Sequence, residues 1–185
     1  PCDFFDFVSD CFEKTYWIPG NHEYYQYDFK DLTLPLNERI RNNLFLVDNF
    51  SVDINNVNFV FSTLWSHIRE ENQWRIEQNV SDFFAIKNHN KNLTAPDFNK
   101  LHKASFAFIE SAIDKNKEKK KVVVTHHVPT LLNYPLQYKN SPINEAFAVE
   151  LFDFIYSSDI SNWIYGHHHY NVPPFKIGST QMLTN

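Results

Sequence analysis

A chain of 185 residues with 43% hydrophobic and 17% aromatic side chains is long enough for one domain with a proper core and too apolar to be disordered. Its net charge of −5 and pI near 6.0 do not indicate nucleic acid as a partner, because a general polyanion binder is basic over a whole face. No apolar run approaches the roughly 18 residues of a membrane span, and Cys2 and Cys11 make no disulfide framework, so they read as free thiols in a reducing, cytoplasmic compartment.

Phe4, Val8, Cys11 and Phe12 stand at helical spacing within residues 3–14. Thr15-Tyr16-Trp17-Ile18 is an apolar run closed by Pro19-Gly20, as expected of a buried strand ending in a turn. Residues 44–47 and 50–62 are β-rich. Asn55-Asn56, between Ile54 and Val57, predicts a two-residue hairpin, since Asn tolerates the positive φ such turns need. Residues 97–114 predict an amphipathic helix with Leu101, Ala104, Phe108, Ile109 and Ala112 on one face. The basic run from Lys115 to Lys121 predicts a solvated helix end and loop. Val122–Thr125 then forms a β-branched strand, residues 144–157 a helix, Asn162–Tyr165 another strand, and residues 175–183 one or two more. Strands alternating with helices indicate an α/β fold, and residues 1–185 read as a single domain.

Three of these strands end alike. Tyr16-Trp17-Ile18 runs into Pro19-Gly20-Asn21-His22-Glu23, Val122–Thr125 into His126-His127, and Trp163-Ile164-Tyr165 into Gly166-His167-His168-His169. Ligands in α/β sheets gather beyond the carboxyl ends of strands, so the three ends are expected to converge. Neutral imidazole binds Zn, Fe and Mn, and an Asn carbonyl oxygen adds a neutral hard ligand. If residues 167–169 are extended, His167 and His169 face one way and His168 the other. By the same alternation His126 and His127 do not easily share one ion. His67, His89 and His102 stand alone and read as surface or hydrogen-bonded core residues.

Gly20-Asn21-His22-Glu23 resembles the GNH[DE] motif of the calcineurin-like metallophosphoesterases. Thr125-His126-His127-Val128-Pro129 resembles their strand-end histidine motif, and Gly166-His167-His168-His169 their GHxH motif. The resemblance covers essentially the whole chain. It implies a two-sheet β-sandwich flanked by helices and two divalent ions (Mn, Fe or Zn). It also implies hydrolysis of phosphate mono- or diesters by a metal-bound hydroxide, with a phosphate ester as the partner. Carried over by position, Asn21, His126 and His167 bind the second metal and His169 the first. His126 is preferred to His127 because the family ligand directly follows the strand. His22 binds no metal, but stabilises the developing charge and protonates the leaving oxygen.

The family's Asp-x-His and Gly-Asp motifs, which supply the rest of the first metal's ligands and the bridging carboxylate, are not found. Asp3, Asp6 and Asp10 read as solvated or capping residues. The expectation is therefore a domain lacking its first strand or two, binding at most one metal well, hydrolysing esters poorly, and dimerising through an exposed sheet edge. A non-catalytic module keeping the fold as a scaffold is the alternative. Trp65, Tyr24, Tyr25 and Tyr134 are expected in the core or at the rim rather than against a substrate.

Overall fold

The computed structural model of the chain describes residues 2–32, 35–115 and 118–184. Helix α1 (Cys2–Cys11) precedes strand β1 (Thr15–Trp17). Two short 3-10 segments, Asn21–Tyr24 and Phe29–Asp31, lead to β2 (Asn37–Arg39) and β3 (Leu44–Val47). β3 pairs parallel with β1 and antiparallel with β2, giving a three-stranded sheet of order β1-β3-β2.

β4 (Phe50–Ile54) and β5 (Val57–Ser62) form the expected hairpin. Asn55 and Asn56 hold it with φ of 48° and 64°, the two left-handed positions that a tight turn of this hand requires. Helices α2 (Glu70–Asn79) and α3 (Asp82–Ala85) follow, then the small hairpin β6 (Lys87–Asn88) and β7 (Lys91–Asn92). Helix α4 (Ala95–Lys115) is capped by Thr94, whose Oγ1 accepts from the Asp97 N–H at 3.3 Å. β8 (Lys120–Thr125), α5 (Phe152–Ser157), β9 (Asn162–Tyr165), β10 (Phe175–Ile177) and β11 (Thr180–Thr184) complete the chain.

The larger sheet has the order β10-β11-β9-β8-β5-β4, with parallel pairing through β11, β9, β8 and β5 and antiparallel strands at both edges. The two sheets pack through aromatic rings: Tyr16 of β1 stacks on Phe50 and Phe61, 6.0 and 5.1 Å away between centroids. This is the α/β architecture of two sheets flanked by helices expected from the sequence. One apolar cluster gathers Val60, Val123, Ile109, Ile155 and Trp163, and a second gathers Trp65, Phe98, Ile76, Phe83 and Ile86.

Three local expectations change. The buried stripe of α4 runs through Phe98, Ser105, Ile109 and Ala112, which share a helical face, so Ala104 turns outward and Ser105 inward. Residues 144–157 are not one helix. The backbone of Phe147 and Val149 hydrogen-bonds to Val128 at 3.2 and 3.0 Å, separating a 3-10 turn at Asn144–Ala146 from α5. Lys121 is not solvated. It shares the inward side of β8 with Val123 and Thr125, is fully buried, and reaches Asp159 Oδ2 at 2.5 Å. Asn116 and Lys117, in the same basic run, lie outside the described residues.

Candidate active site

The three strand ends meet, but not on one sheet. β8 and β9 are neighbours in the larger sheet, whereas β1 belongs to the smaller one. Beyond β5 and β8 the chains stay in register: His126 N–H donates to Ser62 C=O at 3.3 Å and His127 N–H to Thr63 C=O at 3.1 Å. Gly166 N–H donates to His126 C=O at 3.2 Å. The Thr63 hydroxyl donates to Pro19 C=O at 3.1 Å, tying the turn after β1 to the other sheet. The site therefore straddles the gap between the sheets and opens into a cavity of about 620 Å³.

Asn21 is buried on its 3-10 turn. Its Nδ2 donates to Asp82 Oδ1 at 2.7 Å, which turns Oδ1 toward His126 Nε2, 3.2 Å away. The His126 ring lies so close over Gly20 that a Cβ there would stand 2.6 Å from Cε1 and 2.8 Å from Nε2. Only glycine leaves the ring that room. Glu23 braces the same turn by accepting from Gly20 N–H at 2.6 Å.

His167 packs 4.5 Å from His126 and 4.4 Å from His127 between ring centroids, with Phe147 stacked on it at 4.9 Å. The segment 167–169 is not extended. His167 and His169 have φ of 71° and 50°, so the expected alternation gives way to two left-handed residues. Leu64, just past β5, is left-handed as well at φ 47°. Such conformations are costly for residues with a Cβ and cluster at functional sites. His168 is buried against the rings of Tyr134 and Tyr165, while His169 and His22 are exposed at the cavity. His22 lies 4.6 Å from the Tyr25 ring.

Burial sets the charge state of these groups. It lowers the His126 pKa to about 4, helped by the nearby His22 and His169. It pushes His127 and His167 well below the usual imidazole value, and the neighbouring imidazoles add to the shift. Burial also raises the Asp82 carboxyl, against the hydrogen bonds from Tyr25 and Asn21. Neutral imidazole is the form that ligates metals.

The profile of the calcineurin-like phosphoesterases matches residues 1–171. The chain belongs to that family. It is 33% identical over 185 residues to the uncharacterized protein L509 of Acanthamoeba polyphaga mimivirus, an alignment covering 90% of this chain. The chain spans about 65% of that relative's length. Among solved structures it is similar to the phosphopantetheinyl hydrolase of Mycobacterium tuberculosis, with a TM-score of 0.63 at 13% identity over 97% of this chain and 71% of that one. That likeness is one of fold.

Among the described residues no group of three or more His, Cys, Asp or Glu gathers as a metal site. The groups that the strand ends do bring together are mixed: the imidazoles of His126 and His167 and the amide oxygen of Asn21. Two donors about 2.1 Å from one ion stand roughly 3.0–3.4 Å apart, and the 3.2 Å between His126 Nε2 and Asn21 Oδ1 fits that spacing. His167 Nε2 is buried without a hydrogen-bond partner. An orphaned buried nitrogen, on a ring 4.5 Å from that of His126, is what a bound cation would satisfy. His127 differs. It is fully buried, touches Trp65 and Phe98, and bonds Thr63 C=O through Nδ1, although its Nε2 is also unpartnered.

Of the aromatic residues expected at core or rim, Tyr24 and Trp65 are core, whereas Tyr25 and Tyr134 line the cavity. Asp82 was not legible. It stands 61 residues from Asn21 at the start of α3, where an Asp reads as an ordinary helix-start residue. Its only signal is position, a lone carboxylate before the apolar Phe83-Phe84-Ala85-Ile86.

Proposed function

We propose that this chain carries the second-metal half of a metal-dependent phosphoesterase site, with Asn21, His126 and His167 as ligands of one divalent ion (Mn, Fe or Zn). The observation that carries this reading is the pairing of the unpartnered buried His167 Nε2 with the 3.2 Å contact of His126 and Asn21. A bound ion would polarise a phosphoryl oxygen and supply a nucleophile from water near neutral pH. Asp82 fixes the Asn21 amide so that its oxygen, not its nitrogen, faces the ion. His22 is exposed beside Asn21, where it can hold a phosphate oxygen, stabilise the developing charge and give a proton to the leaving oxygen. His169, also on the cavity, is this chain's contribution to a second ion.

A non-catalytic scaffold is the second reading, because among the described residues no group of three or more His, Cys, Asp or Glu forms an ion site that would include His169. Hydrolysis of bis-p-nitrophenyl phosphate in the presence of Mn²⁺ separates the two. The enzyme reading expects slow, Mn²⁺-dependent release of p-nitrophenol that disappears in Asn21→Ala. Release that survives Asn21→Ala contradicts it, and no release at all favours the scaffold.

A further inference from the structure

The cavity is much larger than a phosphate group needs, and its remaining wall has a definite chemistry. At about 620 Å³ it falls in the range of small-molecule sites, roughly 300–1,000 Å³. Three of the five histidines that line it are backed by an aromatic ring: Tyr25 against His22, Phe147 against His167, and Tyr134 against His168. Tyr138 also lines the cavity, is 38% exposed, and has no ring stacked on it among the described residues. Ile143 and Val80 add apolar surface.

Cations are missing from this wall. No Lys or Arg is among the described residues that line it, whereas Glu23 and Asp82 are. Sites that take diphosphates, triphosphates or nucleic-acid backbones neutralise the extra charge with Arg or Lys. The other polar groups of the wall include the uncharged side chains of Asn79, Ser81, Ser141 and Asn144, so a second phosphate would find no Lys or Arg to neutralise it, while a planar uncharged group would find rings to stack on.

We propose that the substrate is an ester with a single phosphate whose alcohol side is a planar, uncharged group of aryl or nucleobase size, seated against Tyr138 and Tyr134. This rests on the phosphoesterase reading and narrows it. Tyr134 is buried and packs its ring against His168, which fixes one wall of the seat. Tyr138 is the adaptable contact. Its backbone is held by bonds to Pro135 and Asn144, so its side chain can be removed without unravelling the loop.

Calorimetric titration of phosphonates into the chain with Mn²⁺ in fixed excess reads binding rather than turnover. Phenylphosphonate is expected to bind about tenfold more tightly than methylphosphonate, as a stacked ring should. Tyr138→Ala should bring the two to within about threefold of one another by removing one of the stacking faces. Adenosine monophosphate should bind more tightly than adenosine diphosphate. Equal affinities for the phenyl and methyl compounds, tighter binding of the diphosphate, or no binding of any of the four overturns the proposal. Equal affinities with Mn²⁺-dependent hydrolysis intact overturn this inference alone. A preserved aryl preference with no hydrolysis overturns the catalytic reading alone.

Discussion

The two ends of the Asn21 amide serve different partners: Nδ2 donates to Asp82 and Oδ1 faces His126. An amide free to flip would present its nitrogen to a cation half the time, so the carboxylate that orients it belongs to the site even though it touches no ion. Asp82 is 1% exposed and is also held by the Tyr25 hydroxyl at 2.7 Å. Asp82→Asn keeps the shape, removes the charge, and lets the Asn21 amide turn. We expect it to weaken Mn²⁺ binding about 10- to 100-fold, the usual size of such outer-shell effects. The unfolding midpoint should hardly move. Unchanged Mn²⁺ affinity by calorimetry would remove Asp82 from the site. Chemistry-bearing residue types were legible one by one in Gly20-Asn21-His22, His126-His127 and Gly166 to His169, because each follows a strand. The Asp82 contact was not, since a hydrogen bond spanning 61 residues leaves no periodic trace.

At the scale of elements, the site depends on how strands end. β5, β8 and β9 are parallel neighbours, and each gives way to irregular backbone at the same edge. Leu64 just past β5, and His167 and His169 past β9, are left-handed there. Gly20 does the complementary job from the smaller sheet by leaving space for the His126 ring. Gly20→Ala should push that ring away from Asn21. The predicted result is a loss of about 100-fold in Mn²⁺-dependent hydrolysis, the scale of a roughly 1 Å misplacement. Far-ultraviolet circular dichroism should be unchanged, because the displaced group is a side chain. Full activity in Gly20→Ala would mean that the His126 position is not critical. The Asn55-Asn56 hairpin was readable from its φ requirement alone. The membership of β1 in a second sheet was not, because Thr15–Trp17 is equally apolar in either place. Lys121 was misread for a related reason: period-two alternation on β8 carried it inward, while its neighbours in sequence announced solvent.

At the scale of the molecule, the smaller sheet ends on β1 among the described residues. β1 borders only β3 among the described residues. On α1, beside it in sequence, Phe4 and Phe7 are 62% and 59% exposed, with Phe12 just beyond at 57%. Open strand edges and exposed aromatic rings favour association. We expect the chain to self-associate in light scattering, with Phe7→Lys shifting it toward monomer. A monomer at every concentration would contradict this. The larger sheet positions His126 and His167, and the two-sheet arrangement implied by the resemblance holds.

Asn21, His126 and His167 are proposed to form one ion site between the sheets. Calorimetric titration of Mn²⁺ into the chain reads that site. A single tight site is expected, lost in Asn21→Ala and again in His167→Ala. Two tight sites, or one that survives both substitutions, would contradict it.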